Sequence, residues 1–173
     1  DRSRWPTRDV ALVAVLARCG LRVSEACALT VDSVDRAGEN AILRVRAGAK
    51  GGRHRDVPIP ASTLMSLQAY LDEREQLLGP SGVVFNRRDG SGLNQQFVDA
   101  LLRKLCLIQG VTPPAGAMAH ALRHSYGADL AYRGVPLPVI QQLLGHADPR
   151  TTSIYTSVHM SELTHTLREA GVL

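Results

Sequence analysis

Four short segments of the 173-residue chain carry side chains able to do chemistry. The first is Gly20-Leu21-Arg22-Val23-Ser24-Glu25, where Arg22 stands between apolar residues at the start of a helix; an arginine there, taken alone, is a surface or capping residue. The second is Ala49-Lys50-Gly51-Gly52. The chain has 18 arginines and two lysines, and one of the two, Lys50, sits on a glycine-rich turn. Arginine cannot release its proton near neutrality, whereas a lysine ammonium can serve as a general acid. The alternative is a solvated hairpin tip. In the third, His120-Ala121-Leu122-Arg123-His124, residues 120, 123 and 124 share one helical face close to a helix N-terminus and form a ready anion site, or simply a surface face. A zinc site on His120 and His124 lacks the glutamate of an HExxH pair, and the adjacent arginine would repel a dication. The fourth is Leu143-Leu144-Gly145-His146, with Tyr155 nine residues further on. A lone helical tyrosine generally serves packing.

These residues need elements to hold them. Apolar residues Val10, Leu12, Val13, Val15 and Leu16 predict an inward-facing helix over 7–18, with Thr7 as N-cap and Gly20 as stop, and a short helix begins near Arg22 with Ser24 and Glu25 in its first turn. Residues 41–46 and 53–59 flank Gly48, Gly51 and Gly52 and predict a β-hairpin with Lys50 at its tip. Helices are expected over 61–78 and 93–108, with a short strand over 83–86 between them. A further helix covers 117–132, and Pro136 and Pro138 open another that Gly145 stops. Asp148 and Pro149 predict a helix start that places Tyr155 about two turns in, and an amphipathic segment runs over 160–170. The expected fold class is mainly α with a small antiparallel β-sheet (α+β), in one domain over 1–173.

Composition narrows the function. A hydrophobic content of 45% fills one core, and 4% aromatics means that Leu, Val, Ala and Ile must build it, which disfavours a lectin-like or base-stacking surface. The net charge of +4 is mild, but Arg44, Arg46, Lys50, Arg53 and Arg55 lie in a stretch with no acidic residue, a local patch facing a polyanion. Cys19, Cys27 and Cys106 form neither a CxxC pair nor an even disulfide set and predict buried thiols in a reducing compartment. The longest apolar run is too short for a bilayer and no signal peptide opens the chain, so the expected location is the cytoplasm. A start at Asp1 rather than Met suggests a piece of a longer protein.

Taken together and in this order, the LRxSE, lysine-hairpin, HxLRH and LGH-plus-Tyr segments resemble the catalytic domain of the tyrosine recombinase family, also called the phage-type integrase family. The likeness runs from Gly20 to Tyr155 and has no departure at the six main positions. It implies Arg22 and Arg123 as phosphate ligands, Lys50 as the hairpin lysine, His120 and His146 as the histidine positions, and Tyr155 as nucleophile. Glu25 and His124 match supporting positions. It also implies double-stranded DNA as partner, other protomers in a tetramer on paired sites, and a DNA-clamping domain that precedes this one and is absent here. No metal and no cofactor are implied.

That chemistry suits these side chains. Attack on a phosphodiester builds charge on the equatorial oxygens, and two forked guanidiniums can neutralise it in place of a metal ion, each donor being worth about 3 kcal/mol in a dry site. A tyrosine with an ordinary pKa of about 10 needs a base or a positive setting, which the histidines and arginines supply. A 3′-phosphotyrosyl link stores the bond energy, so rejoining needs no ATP, and no P-loop motif occurs. Competing readings are a type IB topoisomerase, a DNA-binding accessory protein with a helix-turn-helix over 138–156, and a hydrolase with a metal on His120, His124 and His146, for which no carboxylate is suitably spaced. The segment after Tyr155 either docks on a neighbouring subunit or packs on its own domain.

Overall fold

The computed structural model describes residues 5–36, 40–46, 54–80, 82–145 and 160–173. Among these the order is α1 (Pro6–Arg18), α2 (Val23–Cys27), a 3-10 turn (Val31–Ser33), β1 (Val34–Asp35), β2 (Ile42–Val45), β3 (Arg55–Pro58), α3 (Ala61–Leu78), α4 (Gln95–Ile108), α5 (Met118–Tyr132), α6 (Leu137–Leu144) and α7 (Met160–Glu169). The mainly α fold with one small antiparallel sheet is as expected. The helices predicted at 61–78 and 117–132 fall where they were placed, within a residue.

The core gathers around α1, which packs along α3 and against α5 and α2. Ala11, Leu12, Val15 and Leu16 form its buried stripe. Pro6 opens the helix at a position whose N–H would lack a partner in any case, and Trp5, not Thr7, is the N-cap. The Thr7 hydroxyl hydrogen-bonds Glu73 on α3 instead, so a predicted cap became a tertiary contact. The few aromatics lie at the centre. Trp5 meets Tyr70 edge-on at 5.3 Å, and Tyr70 stacks on Phe85 at 5.6 Å. The Tyr70 hydroxyl accepts a 3.1 Å hydrogen bond from the Asn86 backbone N–H.

The sheet runs in the order β1-β2-β3 with antiparallel pairing throughout. The register sets Leu43 opposite Val57 and Val45 opposite Arg55. The first strand is a two-residue piece that hydrophobic periodicity was too short to register. The strand expected over 83–86 forms only isolated bridges, Thr30 to Val83 and Asn86 to Gly92. Helix α4 starts two residues later than expected because Asn94 caps it, its side chain accepting from Phe97 N–H at 2.8 Å.

Helix α7 packs on its own chain. Leu163 and Leu167 join the core, Arg133 donates to Gly171 O at 3.0 Å, and Arg168 donates to Asn40 at 2.7 Å. Burial of each leucine contributes about 2 kcal/mol. Among the described residues no helix is long and apolar enough to cross a membrane. The cysteines are free, but only Cys19 is fully buried, with its thiol pushed up to about 12 by burial; Cys27 and Cys106 are half-buried, against expectation.

Candidate active site

Three arginines from three elements converge on one carboxylate. Glu25 is the third residue of α2, and its side chain turns back to accept the Arg22 backbone N–H at 2.7 Å, as in half of a capping box. One oxygen also accepts from Arg22 Nη1 at 3.0 Å. From the sheet, Arg55 closes a forked pair on the same carboxylate, with Nη1 and Nη2 each 2.8 Å from an oxygen. From α5, Arg123 Nη1 stands 3.8 Å from the second oxygen. Burial opposes the Glu25 charge, but the hydrogen bonds from Arg55 and the Arg22 backbone outweigh it and hold the carboxyl at about 2.

The two expected phosphate ligands differ in setting. The Arg22 side chain is 46% exposed, so its guanidinium faces solvent while its backbone is pinned by Glu25. Arg123 is 5% exposed. Its Nη1 donates to Gly20 O at 2.5 Å and its Nη2 to Leu144 O, which ties α5 to the turn before α2 and to the end of α6. Burial, and then the neighbouring charge of Arg22, pulls Arg123 down to about 10, still fully charged at neutral pH.

Gly20 makes this approach possible. Its φ is +62°, and a Cβ built there would stand 2.3 Å from the ring of Tyr126, which is itself buried on α5. Any side chain would meet a ring that cannot step aside and would adopt a left-handed backbone costing about 1–2 kcal/mol by itself. Gly20→Ala is therefore expected to lower stability by at least about 2 kcal/mol, read as a fall in the urea midpoint at constant slope; an unchanged midpoint would refute the packing described. Gly145, at φ +61°, plays a similar part at the end of α6, where a Cβ would stand 3.0 Å from Arg55 Nη1.

The expectations divide accordingly. Arg22, Glu25 and Arg123 come together. His120 and His124 lie on α5 and are exposed, while Arg123, on the same arc of the helix, is buried. The N-terminus of α5 is not an open anion site: Met118 N–H donates to Asp99 Oδ1 at 2.8 Å, and Asp99 also pairs with Arg103 at 2.8 Å. That backbone bond, with the Arg103 pair, holds the Asp99 carboxyl below its ordinary range. Lys50, Arg53, His146 and Tyr155, and the predicted helix around the tyrosine, lie outside the described residues.

The basic patch also changes. Arg44 is exposed but ion-paired with Asp35 on the neighbouring strand, and its other cross-strand partner is Asp56. Arg46 is exposed. Arg55, expected on a DNA-facing surface, is buried against Glu25 instead, because it shares the inward parity of Val57 on β3. That parity was readable: an arginine in phase with Val57 and Ile59 demands a buried partner.

The phage integrase family profile matches residues 2–162 of the chain. The chain belongs to this family, the tyrosine recombinases. Over 171 residues it is 35% identical to tyrosine recombinase XerC of Nitrobacter winogradskyi, a match covering 98% of this chain and 52% of the relative. Among solved structures, the crystal structure of XerA recombinase superposes with a TM-score of 0.74 at 31% identity, covering 95% of this chain and 58% of the other. A pre-cleavage complex of XerH site-specific recombinase with its difH substrate superposes with a TM-score of 0.72 at 26% identity, covering 92% of this chain and 45% of the other. The chain thus spans about half the length of the tyrosine recombinases it matches.

Proposed function

We propose that this chain is the catalytic domain of a site-specific DNA recombinase that cuts and rejoins strands through Tyr155. The observation that carries the reading is the convergence of Arg22 and Arg123 around Glu25, two cations from distant segments brought to one place in a chain that belongs to the tyrosine recombinases. A pair of guanidiniums there supplies charge where a pentavalent phosphorus transition state would develop it.

In this scheme the Tyr155 hydroxyl oxygen attacks the scissile phosphorus, its proton passing to a base at the histidine positions, His120 or His146. The bond to the 5′ oxygen breaks, and Lys50 gives that oxygen a proton. The product is a 3′-phosphotyrosyl bond and a free 5′ hydroxyl. Attack by a 5′ hydroxyl, from the same or a partner strand, reverses the steps and releases the tyrosine. Arg44, Arg46 and Arg53 contribute contacts to the duplex backbone, which position without specifying sequence. Strand exchange takes place between protomers of a tetramer on paired sites. The phosphotyrosyl bond conserves the energy of the broken phosphodiester, so rejoining needs no ATP, and the guanidiniums neutralise the charge that a metal ion would otherwise carry.

A nicked duplex that loses its 5′ end after cleavage traps the covalent intermediate. Tyr155→Phe keeps the ring and removes the attacking oxygen, so adduct on a denaturing gel is expected to fall below detection. Equal adduct from parent and variant would refute Tyr155 as nucleophile. Relaxation of plasmids that lack any recombination site would favour a topoisomerase instead.

A further inference from the structure

We propose that Arg55 is a positioning residue that keeps Glu25 occupied, so that the guanidiniums of Arg22 and Arg123 remain available to a phosphate. The inference rests on the recombinase reading and deepens it.

The geometry of the carboxylate points to this role. Two oxygens can close one forked pair, and Arg55 holds that fork at 2.8 Å and 2.8 Å. Arg22 is left with a single 3.0 Å side-chain contact to Glu25, and Arg123 stands at 3.8 Å, beyond hydrogen-bond length. The three arginines and one carboxylate leave an excess of positive charge beside the solvent-facing Arg22. Such an arrangement suits an incoming anion. Were the fork vacant, Glu25 would close it on one of the other two arginines and compete with the phosphate for it.

Arg55 is itself fixed in place. Its Nε donates to Leu143 O at 2.7 Å, and the backbone of Gly145 lies against its guanidinium so closely that a Cβ there would stand 3.0 Å from Nη1. The residue therefore joins β3, the N-terminal turn of α2 and the last turn of α6, segments separated by 30 and 88 positions in sequence. Stability alone does not call for an ion pair at this place, since well-packed apolar side chains replacing both partners are commonly as stabilising, although removing Arg55 alone strips the buried Glu25 of its fork.

The test is a rescue. Arg55→Met is expected to slow Tyr155-dependent adduct formation about 100-fold while affinity for the same nicked duplex stays within about threefold. Adding Glu25→Gln removes the competing charge and is expected to restore the rate at least tenfold over Arg55→Met alone. A double variant no faster than Arg55→Met, or a rate and an affinity that fall in proportion, would overturn the role. Arg55→Lys, which can still occupy one oxygen, replaces Arg55→Met if the latter does not fold, with an expected loss of about tenfold and the same rescue. A second measurement does not depend on cleavage: the guanidinium N–H signals of Arg22 and Arg123 in the nuclear magnetic resonance spectrum, titrated with inorganic phosphate. Arg55→Met is expected to weaken phosphate binding at least fivefold, and the double variant to recover it; an unchanged titration overturns the proposal. If the parent chain forms no Tyr155-dependent adduct, the recombinase reading fails, and this titration still decides the role of Arg55.

Discussion

Arg123→Ala is expected to lower adduct formation by about 10²–10³-fold, the usual consequence of removing one transition-state donor from a water-poor site. The change also has a structural cost. Arg123 satisfies Gly20 O and Leu144 O in the interior, and each carbonyl left without a donor costs about 1–3 kcal/mol. Arg123→Lys separates the two effects, because a lysine keeps the charge but cannot span both carbonyls and a phosphate with one point donor. Its rate is expected between those of the parent and the alanine variant, with most of the loss in the cleavage step. Single-turnover adduct formation, measured at a temperature where circular dichroism shows both variants folded, checks this. A lysine variant as fast as the parent would remove Arg123 from the phosphate.

Glu25→Ala is expected to be strongly destabilising. It leaves Arg55, buried with a side-chain exposure of 7%, without its partner, and breaking a buried pair from one side costs about 3–5 kcal/mol. The same carboxylate predicts an acid limit. Its folded pKa of about 2 lies below the ordinary 4.5, so the group stabilises the fold fully above pH 4.5, and that stabilisation is lost as the pH falls from there toward 2. A difference of this size corresponds to about 3 kcal/mol, and since the carboxylate is 7% exposed, solvent screens it little. Urea unfolding from pH 6 down to pH 2.5 is expected to show the decline in the parent and a flatter profile in Glu25→Gln. Parallel profiles would mean that Glu25 is not the titrating group.

Local signals carried most of the architecture. Periodicity located α3 and α5 within a residue, and Gly145 ended α6 as its type predicted, because these elements are decided by short-range backbone preferences. The same signals failed where a neighbour from elsewhere intervened. Thr7 left its capping role for Glu73, and the α5 N-terminus took Asp99 rather than remaining open to an anion. A polar group in the interior binds whatever the fold presents to it, and that partner is remote in sequence.

For the candidate site, residue types and their order picked out Arg22, Glu25 and Arg123, three side chains that the fold brings together. Spacing does not record direction. That Arg123 is buried while His120 and His124 are exposed, and that Arg55 is buried against Glu25 instead of facing DNA, follows from which side of α5 packs against α1, α4 and α6 and which side of β3 packs against α6. The Glu25 cluster exists only once elements 30 to 98 residues apart are packed, because its ties are three-dimensional ones between groups that local sequence keeps apart.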